Sequence, residues 1–482
     1  MTLFQQMTNQ HKTVLVFSLV ACSYVFLFLF ADGVAGGGDT YTHFFMSKYA
    51  GNHPELFLNQ WGKPVFTTLF FPIAQLGFKA VLGFNLMLIF AQAGILFKIA
   101  QKLNLQQNWL MPFLFFTTPV IFENAISALT EILFGMLVIS FLYLSLTKRI
   151  ILSLLAISWL PFVRSEGFIF ILIIALYYIV NRKWKYLPWL LFGTIVINSM
   201  GWYLSGEPLW LFSTNPYVNT AITAYGSGSF FHFFLWGIPV FGLGFILLLL
   251  QSWNFFKSEK WFQNAFRFDF LSWNAIRIWF VYGFFWSFFF AHVVLWWQGM
   301  WASLGLTRVM FCIVGPFVFI IHERIFSTHG AMFSDGKKTI KWWIIVAILS
   351  PLLASSMILE RVGFPTGFGT EERIINQAIE ELKLTNNLKE HETVYFAHPY
   401  FAVPLNRDPF NSEQSMRIEY YPDAKAGDWI LWDGHFAPNE HETPLSKLIN
   451  DTTLVQIGAI IPNRIYKPLN DIPFEIHVFR RK

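Results

Sequence analysis

The sequence predicts a mainly α-helical protein. It reads as a polytopic bundle of about eleven transmembrane helices over residues 1–359, followed by a small extracytoplasmic α/β domain over residues 360–482. Three observations carry this. The 482-residue chain is 55% hydrophobic and only 13% charged, with a positive mean hydropathy, a composition of membrane rather than soluble proteins. Its apolar residues gather in runs of about the length a helix needs to cross a bilayer. Its charge also changes sign along the chain: residues 1–359 hold 21 Lys and Arg against 11 Asp and Glu, and residues 360–482 hold 13 against 18.

The apolar runs lie near 13–31, 81–100, 107–121, 129–146, 150–163, 167–180, 186–204, 233–251, 274–294, 305–321 and 342–359. Several, notably 107–121 and 150–163, fall short of the ~20 residues a spanning helix requires. The segment "PFVRSEG" separates 150–163 from 167–180 as a turn rather than a bend within one helix. The first run is followed by the small residues of "FADGVAGG", as a cleaved leader would be. Its apolar core is longer than the ~7–15 residues of a signal peptide and its start is weakly charged, so it is read as a span.

With the amino terminus on the cytoplasmic side and sides alternating, 16 of the 21 basic residues of the membrane half fall inside, the bias expected of a bacterial inner-membrane protein. Lys48, Lys63, Lys79, Arg164 and Arg308 are left at the outer side. Seven of the eleven acids, Asp32, Asp39, Glu55, Glu123, Glu131, Glu166 and Glu207, also collect there. Ionisable groups at membrane depth are costly and face a protein interior or a wet cavity, so acids at successive outer span ends point to one shared outer cavity.

The tail continues on the outer side. Residues 369–384, "GTEERIINQAIEELKL", have apolar residues at helical spacing, and "ETVYFAH", "DWILWDG", "TLVQIGAI" and "FEIHVFRR" read as short strands. Its Asp428, Asp433, His435 and His441 are read as solvated loop residues, and the domain is expected to cover the site or select an acceptor.

Several function classes are excluded or unsupported. Cys22 and Cys312 both lie in apolar runs and form no disulfide framework. No HxxxH, HExxH or paired-cysteine spacing suggests a metal centre, and no GxxxxGK[ST] loop cradles a nucleotide. The net charge of +5 comes with no basic stripe, so it is no nucleic-acid signal.

The candidate site residues follow from charge in an apolar context. Asp39, in "GGGDTYTHFF", stands just past the first span; it either closes a Gly-rich turn or serves as a base. Arg308, in "GLTRVMFCIVGP", begins a span, where it is an interfacial anchor or a phosphate ligand, since a guanidinium binds phosphate bidentately. Arg164 and Glu166 flank a hairpin and either pair or face the cavity. Glu131 opens a span, where the helix dipole also favours an acid. Tyr41, His43 and His292 complete the set as supporting residues, with packing or the aromatic belt as the alternative for the histidines.

In their order along the chain, "GGGDTY", "ALTEILFGMLVISFLYL", "LPFVRSEGF" and "GLTRVMFCIVGP" resemble the GT-C superfamily of integral-membrane glycosyltransferases. The likeness is to bacterial relatives of protein mannosyltransferases and aminoarabinose transferases. That resemblance implies transfer of a sugar from a polyprenyl-phosphate-linked donor to an acceptor lipid, glycan or protein at the outer face, usually with inversion. It implies that Asp39 is the general base, with Arg308 first and Arg164 second as ligands of the carrier phosphate. No cofactor is implied, and a divalent metal is left open. Many members carry two adjacent acids in the first loop, whereas here Thr40 follows Asp39.

Those roles also suit the residues without the name. A carboxylate within hydrogen-bond reach of an acceptor hydroxyl can take its proton, and a guanidinium can stabilise a leaving phosphate. The rival reading is a polytopic transporter or lipid flippase using the same buried charges; it would favour inverted repeats and midplane charges. The sequence carries no convincing internal repeat.

Overall fold

The computed structural model describes residues 7–214, 225–258, 269–301, 303–327, 367–389 and 391–482. The expected eleventh span at 342–359 and the domain boundary at 359/360 lie outside them.

Among the described residues four helices are long and apolar enough to cross a membrane: Gln10–Phe30, Phe78–Lys102, Trp273–Trp297 and Thr307–Phe326. Together they make this a multi-pass membrane protein. Other apolar runs divide into shorter pieces, which the hydropathy of the sequence does not register. Run 107–121 breaks into Leu110–Phe116 and Pro119–Asn124, because Pro119 has no N–H to continue a helix. Run 186–204 is bent by 43° at Leu191. Run 233–251 is cut at Trp236 and again at Gly242, whose φ of 67° is left-handed. Runs 150–163 and 167–180 are separate helices, with the expected turn between them.

The bundle core is aromatic. Phe170 stacks on Phe284 with ring centroids 4.1 Å apart and meets Phe134 edge-on at 5.4 Å, arrangements that satisfy the ring quadrupoles. Polar groups inside the bundle are used to tie backbone together. Asn85 Nδ2 donates to the carbonyls of Ser127 and Leu129 (2.8 and 3.2 Å), and Gln92 Nε2 donates to that of Ile132 (3.0 Å). A polar group shielded from water needs such a partner. These bonds fix the start of the helix Glu131–Leu146 and so the position of Glu131.

Charge concentrates at both ends of the bundle. Arg277 and His292 lie on one helix, 15 positions or roughly 22 Å apart. At the Arg277 end, Glu323 accepts from Arg277 Nη1 (2.8 Å), Gln251 Nε2 (3.0 Å) and Tyr282 (3.3 Å). The candidate site occupies the His292 end.

The carboxyl-terminal domain holds a five-stranded sheet: β1 Val394–Phe396, β2 Ser415–Arg417, β3 Trp429–Asp433, β4 Leu454–Ile460 and β5 Ile476–Arg481. Its order is β2-β1-β3-β5-β4, parallel among the first three and antiparallel from β3 to β5 and β4. Four of these strands were expected. β2, Ser-Met-Arg, was not, since it carries none of the β-branched or aromatic residues that mark β1. The expected helix is present as Thr370–Glu381.

Candidate active site at one end of the bundle

The first candidate rests on a helix start. Gly36, at φ 88°, turns the chain into the helix Gly37–Tyr49, a conformation that costs other residues energy. Asp39 lies in the first turn of that helix, where the dipole favours an acid. Thr40 Oγ1 donates to the carbonyl of Ala35 (2.6 Å) and pins the turn.

Arg308, in the first turn of the helical run Thr307–Phe326, reaches this turn from the far end of the sequence. Its Nη2 forms an ion pair with Asp39 Oδ2, and its Nη1 donates to the Gly36 carbonyl (3.2 Å). Arg308 Nε stands 3.6 Å from Glu131 Oε1. The same Glu131 oxygen lies 2.9 Å from Arg164 Nη1, which also donates to Thr130 Oγ1 (3.2 Å). Arg164 Nη2 is 2.8 Å from Glu166 Oε1, and His292 Nε2 is 3.6 Å from that oxygen. Asp39, Arg308, Glu131, Arg164 and Glu166 thus form one chain of alternating charge, with the His292 imidazole at its end. All six were singled out in the sequence; Glu131 at its centre is 1% exposed.

Two further candidates sit apart from this chain. Tyr41 packs on Phe78 and Tyr400, ring centroids 5.3 and 4.9 Å away, and so faces the carboxyl-terminal domain. His43 stacks on Trp61 at 5.0 Å and packs on Phe66 at 5.2 Å.

Lys63 is a site residue to which the sequence reading gave no role. It precedes the helix Pro64–Ala74 with φ 67°, is buried, and its Nζ donates to Ser165 Oγ (3.1 Å), between Arg164 and Glu166. Burial, reinforced by Arg164 and opposed by Glu166, lowers its ammonium to about 8. The only sequence signal was a lysine beside a proline in an apolar outer segment.

A cavity of about 270 Å³ opens against Arg308, Gly36 and Leu129 on one side and His232, Trp236 and Gly305 on another, with Glu123 and Asn124 in its wall. It is near the lower end of the ~300–1,000 Å³ of small-molecule sites. His232 Nε2 is 2.8 Å from the Gly305 carbonyl and holds that loop. The buried Nε groups of Arg308 and Arg164 make no hydrogen bond among the described residues, although buried donors are normally satisfied. The Asp39 side chain is 37% exposed, so its carboxylate is reachable from outside while Arg308 orients it. Among the described residues no group of three or more His, Cys, Asp or Glu could hold a metal ion.

The carboxyl-terminal domain reaches the same place. Buried Asp433, at the end of β3, accepts the N–H groups of His435 (3.0 Å), Phe436 (2.6 Å) and His398 (3.2 Å). Glu371 Oε2 takes His398 Nε2 (2.9 Å) and His435 Nδ1 (3.0 Å). An ionised carboxylate only accepts, so both imidazoles donate. Burial would raise the Glu371 carboxyl, but these donors hold it down at about 2. Burial would lower His435, but the bond and charge of Glu371, with Asp433 and Glu440, hold it above the ordinary histidine range.

Compared by sequence, the chain matches no family model and no curated protein. Compared by structure, it is similar to ArnT, an aminoarabinose transferase, from Cupriavidus metallidurans in the apo state. The TM-score is 0.58 at 11% identity, over 98% of this chain and 98% of that one. It also matches the arabinofuranosyltransferase AftD from Mycobacteria, with a TM-score of 0.46 at 11% identity, over 98% of this chain and 42% of AftD. Both of those proteins are GT-C glycosyltransferases. At this identity the likeness is one of fold, and the chain is a multi-pass membrane protein built on the ArnT fold.

Proposed function

We propose that this protein is a membrane glycosyltransferase that moves a sugar from a polyprenyl-phosphate-linked donor to an acceptor at the outer face of the cell membrane. In this reading the amino terminus is cytoplasmic, residues 1–359 form the catalytic domain and residues 360–482 a soluble outer domain. The observation that carries it is the ion pair of Asp39 with Arg308, a residue of the cavity wall. It couples a reachable carboxylate to a guanidinium with an unused donor. The fold shared with the aminoarabinose transferase ArnT supports the same class of reaction.

The mechanism follows from the charges. The donor sugar enters the cavity and its phosphate approaches Arg308, whose Nε supplies a hydrogen bond. Arg164 is the second cation towards the phosphate, and Lys63 adds positive charge. As the glycosidic bond to phosphate breaks, negative charge grows on the leaving oxygen, and fixed cations stabilise it more in the transition state than in the ground state. The free part of the Asp39 carboxylate takes the proton of the acceptor hydroxyl as that oxygen attacks the anomeric carbon. Attack opposite the leaving phosphate inverts the centre. Glu131 and Glu166 keep the two guanidinium groups in register, since a planar fork is aimed by its carboxylate partners.

The donor's chain holds it in the bilayer, each buried CH₂ contributing ~0.8 kcal/mol, so the enzyme must meet it there. The test is sugar transfer in membranes containing the full chain and native lipid extract with radiolabelled polyprenyl-phosphate sugars. Label leaving the lipid for an acceptor supports the proposal. Absence of transfer from every donor pool contradicts it.

A further inference from the structure

The carboxyl-terminal domain touches the helix that carries Asp39. A Cβ placed on Gly38 would stand 2.7 Å from Phe436 Cζ, so the ring tip lies directly on the first turn of the helix Gly37–Tyr49. Phe436 is not left to drift there. Its backbone N–H is held by Asp433, and its ring meets His398 and His435 at 4.9 and 4.4 Å, both fixed in turn by Glu371. The helix Phe436–Glu440 carries a second group to the same rim. Exposed Glu440 and the half-buried Tyr225 hydroxyl interact, and both feel the charge of Asp39.

We propose that Phe436, Glu440 and Tyr225 form the acceptor half of the site, and that the acceptor is a saccharide whose hydroxyl is presented to Asp39. This rests on the glycosyltransferase reading above and names its acceptor class. Arg308 and the cavity meet the amino end of the Asp39 helix at Gly36, whereas Phe436 meets it at Gly38, so donor and acceptor have separate approaches. An aromatic ring packs on the C–H face of a sugar, and carboxylate and phenol oxygens accept and donate to its hydroxyls.

The test is binding, so that it stands apart from catalysis. Full-length protein in lipid nanodiscs is titrated with methyl α-mannoside, methyl β-glucoside, methyl β-galactoside and methyl α-arabinofuranoside, followed by saturation-transfer difference NMR. At least one glycoside is expected to bind, about tenfold more weakly in Phe436→Ala and close to wild type in Phe436→Trp, which also shows that the domain folds. Asp39→Asn is expected to retain binding, so a failure of transfer chemistry leaves this result readable. Binding of none of the four overturns the proposal. So does equal binding in Phe436→Ala, or preferential binding of dihexanoyl phosphatidic acid or of a Ser-containing peptide at the same concentrations.

Discussion

Arg308 and Asp39 stand 269 positions apart in the chain and are joined as an ion pair, with Arg308 in the wall of a cavity. A lone arginine at a span start and a lone aspartate after a glycine cluster therefore answer each other. The guanidinium also binds the carbonyl of Gly36, so the pair fixes the backbone turn as well as the carboxylate. Replacing Arg308 by lysine keeps the charge and loses the fork. Transfer is expected to fall ~10²–10³-fold in Arg308→Ala, with Arg308→Lys recovering only part. Wild-type rates in Arg308→Lys, measured as kcat/KM for the lipid donor, would remove the bidentate role.

Glu131 is shared between two arginines, 2.9 Å from Arg164 and 3.6 Å from Arg308. Residues in one network do not contribute independently. A double-mutant cycle of Glu131→Gln and Arg164→Met, read by thermal unfolding in detergent, is expected to give a coupling of about 0.5–3 kcal/mol. Strictly additive effects would mean that the two side chains do not support each other.

Lys63 carries its charge only below about pH 8. If that charge helps hold the donor phosphate, kcat/KM falls as pH rises through about 8, the proton being lost from the free enzyme. Lys63→Arg stays charged and is expected to lose this alkaline limb. An unchanged pH profile in Lys63→Arg would take Lys63 out of the site.

The Glu371–His435 clasp predicts opposite pH limbs for stability. Glu371 is lowered from 4.5 to about 2, so its contribution is complete above 4.5 and is lost as pH falls towards 2. His435 is raised above 6.5, so its contribution is complete below 6.5 and is lost as pH rises through the raised value. Between pH 4.5 and 6.5 both are present. Thermal unfolding of the full chain against pH is expected to show both limbs, and Glu371→Gln to flatten them. Parallel curves for wild type and variant would contradict the clasp.

Much of this site was legible because a charge in an apolar sequence is conspicuous. Asp39, Glu131, Arg164, Glu166 and Arg308 stood out for that reason, and the structure gathers them with His292, which the sequence offered as a supporting or a packing residue. Pairing was less legible: the sequence left Arg164 and Glu166 as partners or as cavity residues, and the 2.8 Å contact makes them partners within a longer chain. Lys63 carried no pattern beyond its own charge. Phe436 and Glu440 were invisible, because their approach to the Asp39 helix depends on how the domain docks. His435 read as a solvated loop residue, yet it is clasped by Glu371 some 64 positions earlier. Among the helices, hydropathy located the apolar runs but not their breaks, since Pro119 and Gly242 interrupt a helix without making it less apolar.

The central claim is that Asp39 takes the acceptor proton. Its most direct test is sugar transfer by Asp39→Asn and wild type at matched levels, with binding of the lipid donor measured alongside. Asp39→Asn is expected to lose transfer ~10²–10⁴-fold with donor binding retained. Undiminished transfer by Asp39→Asn would contradict it.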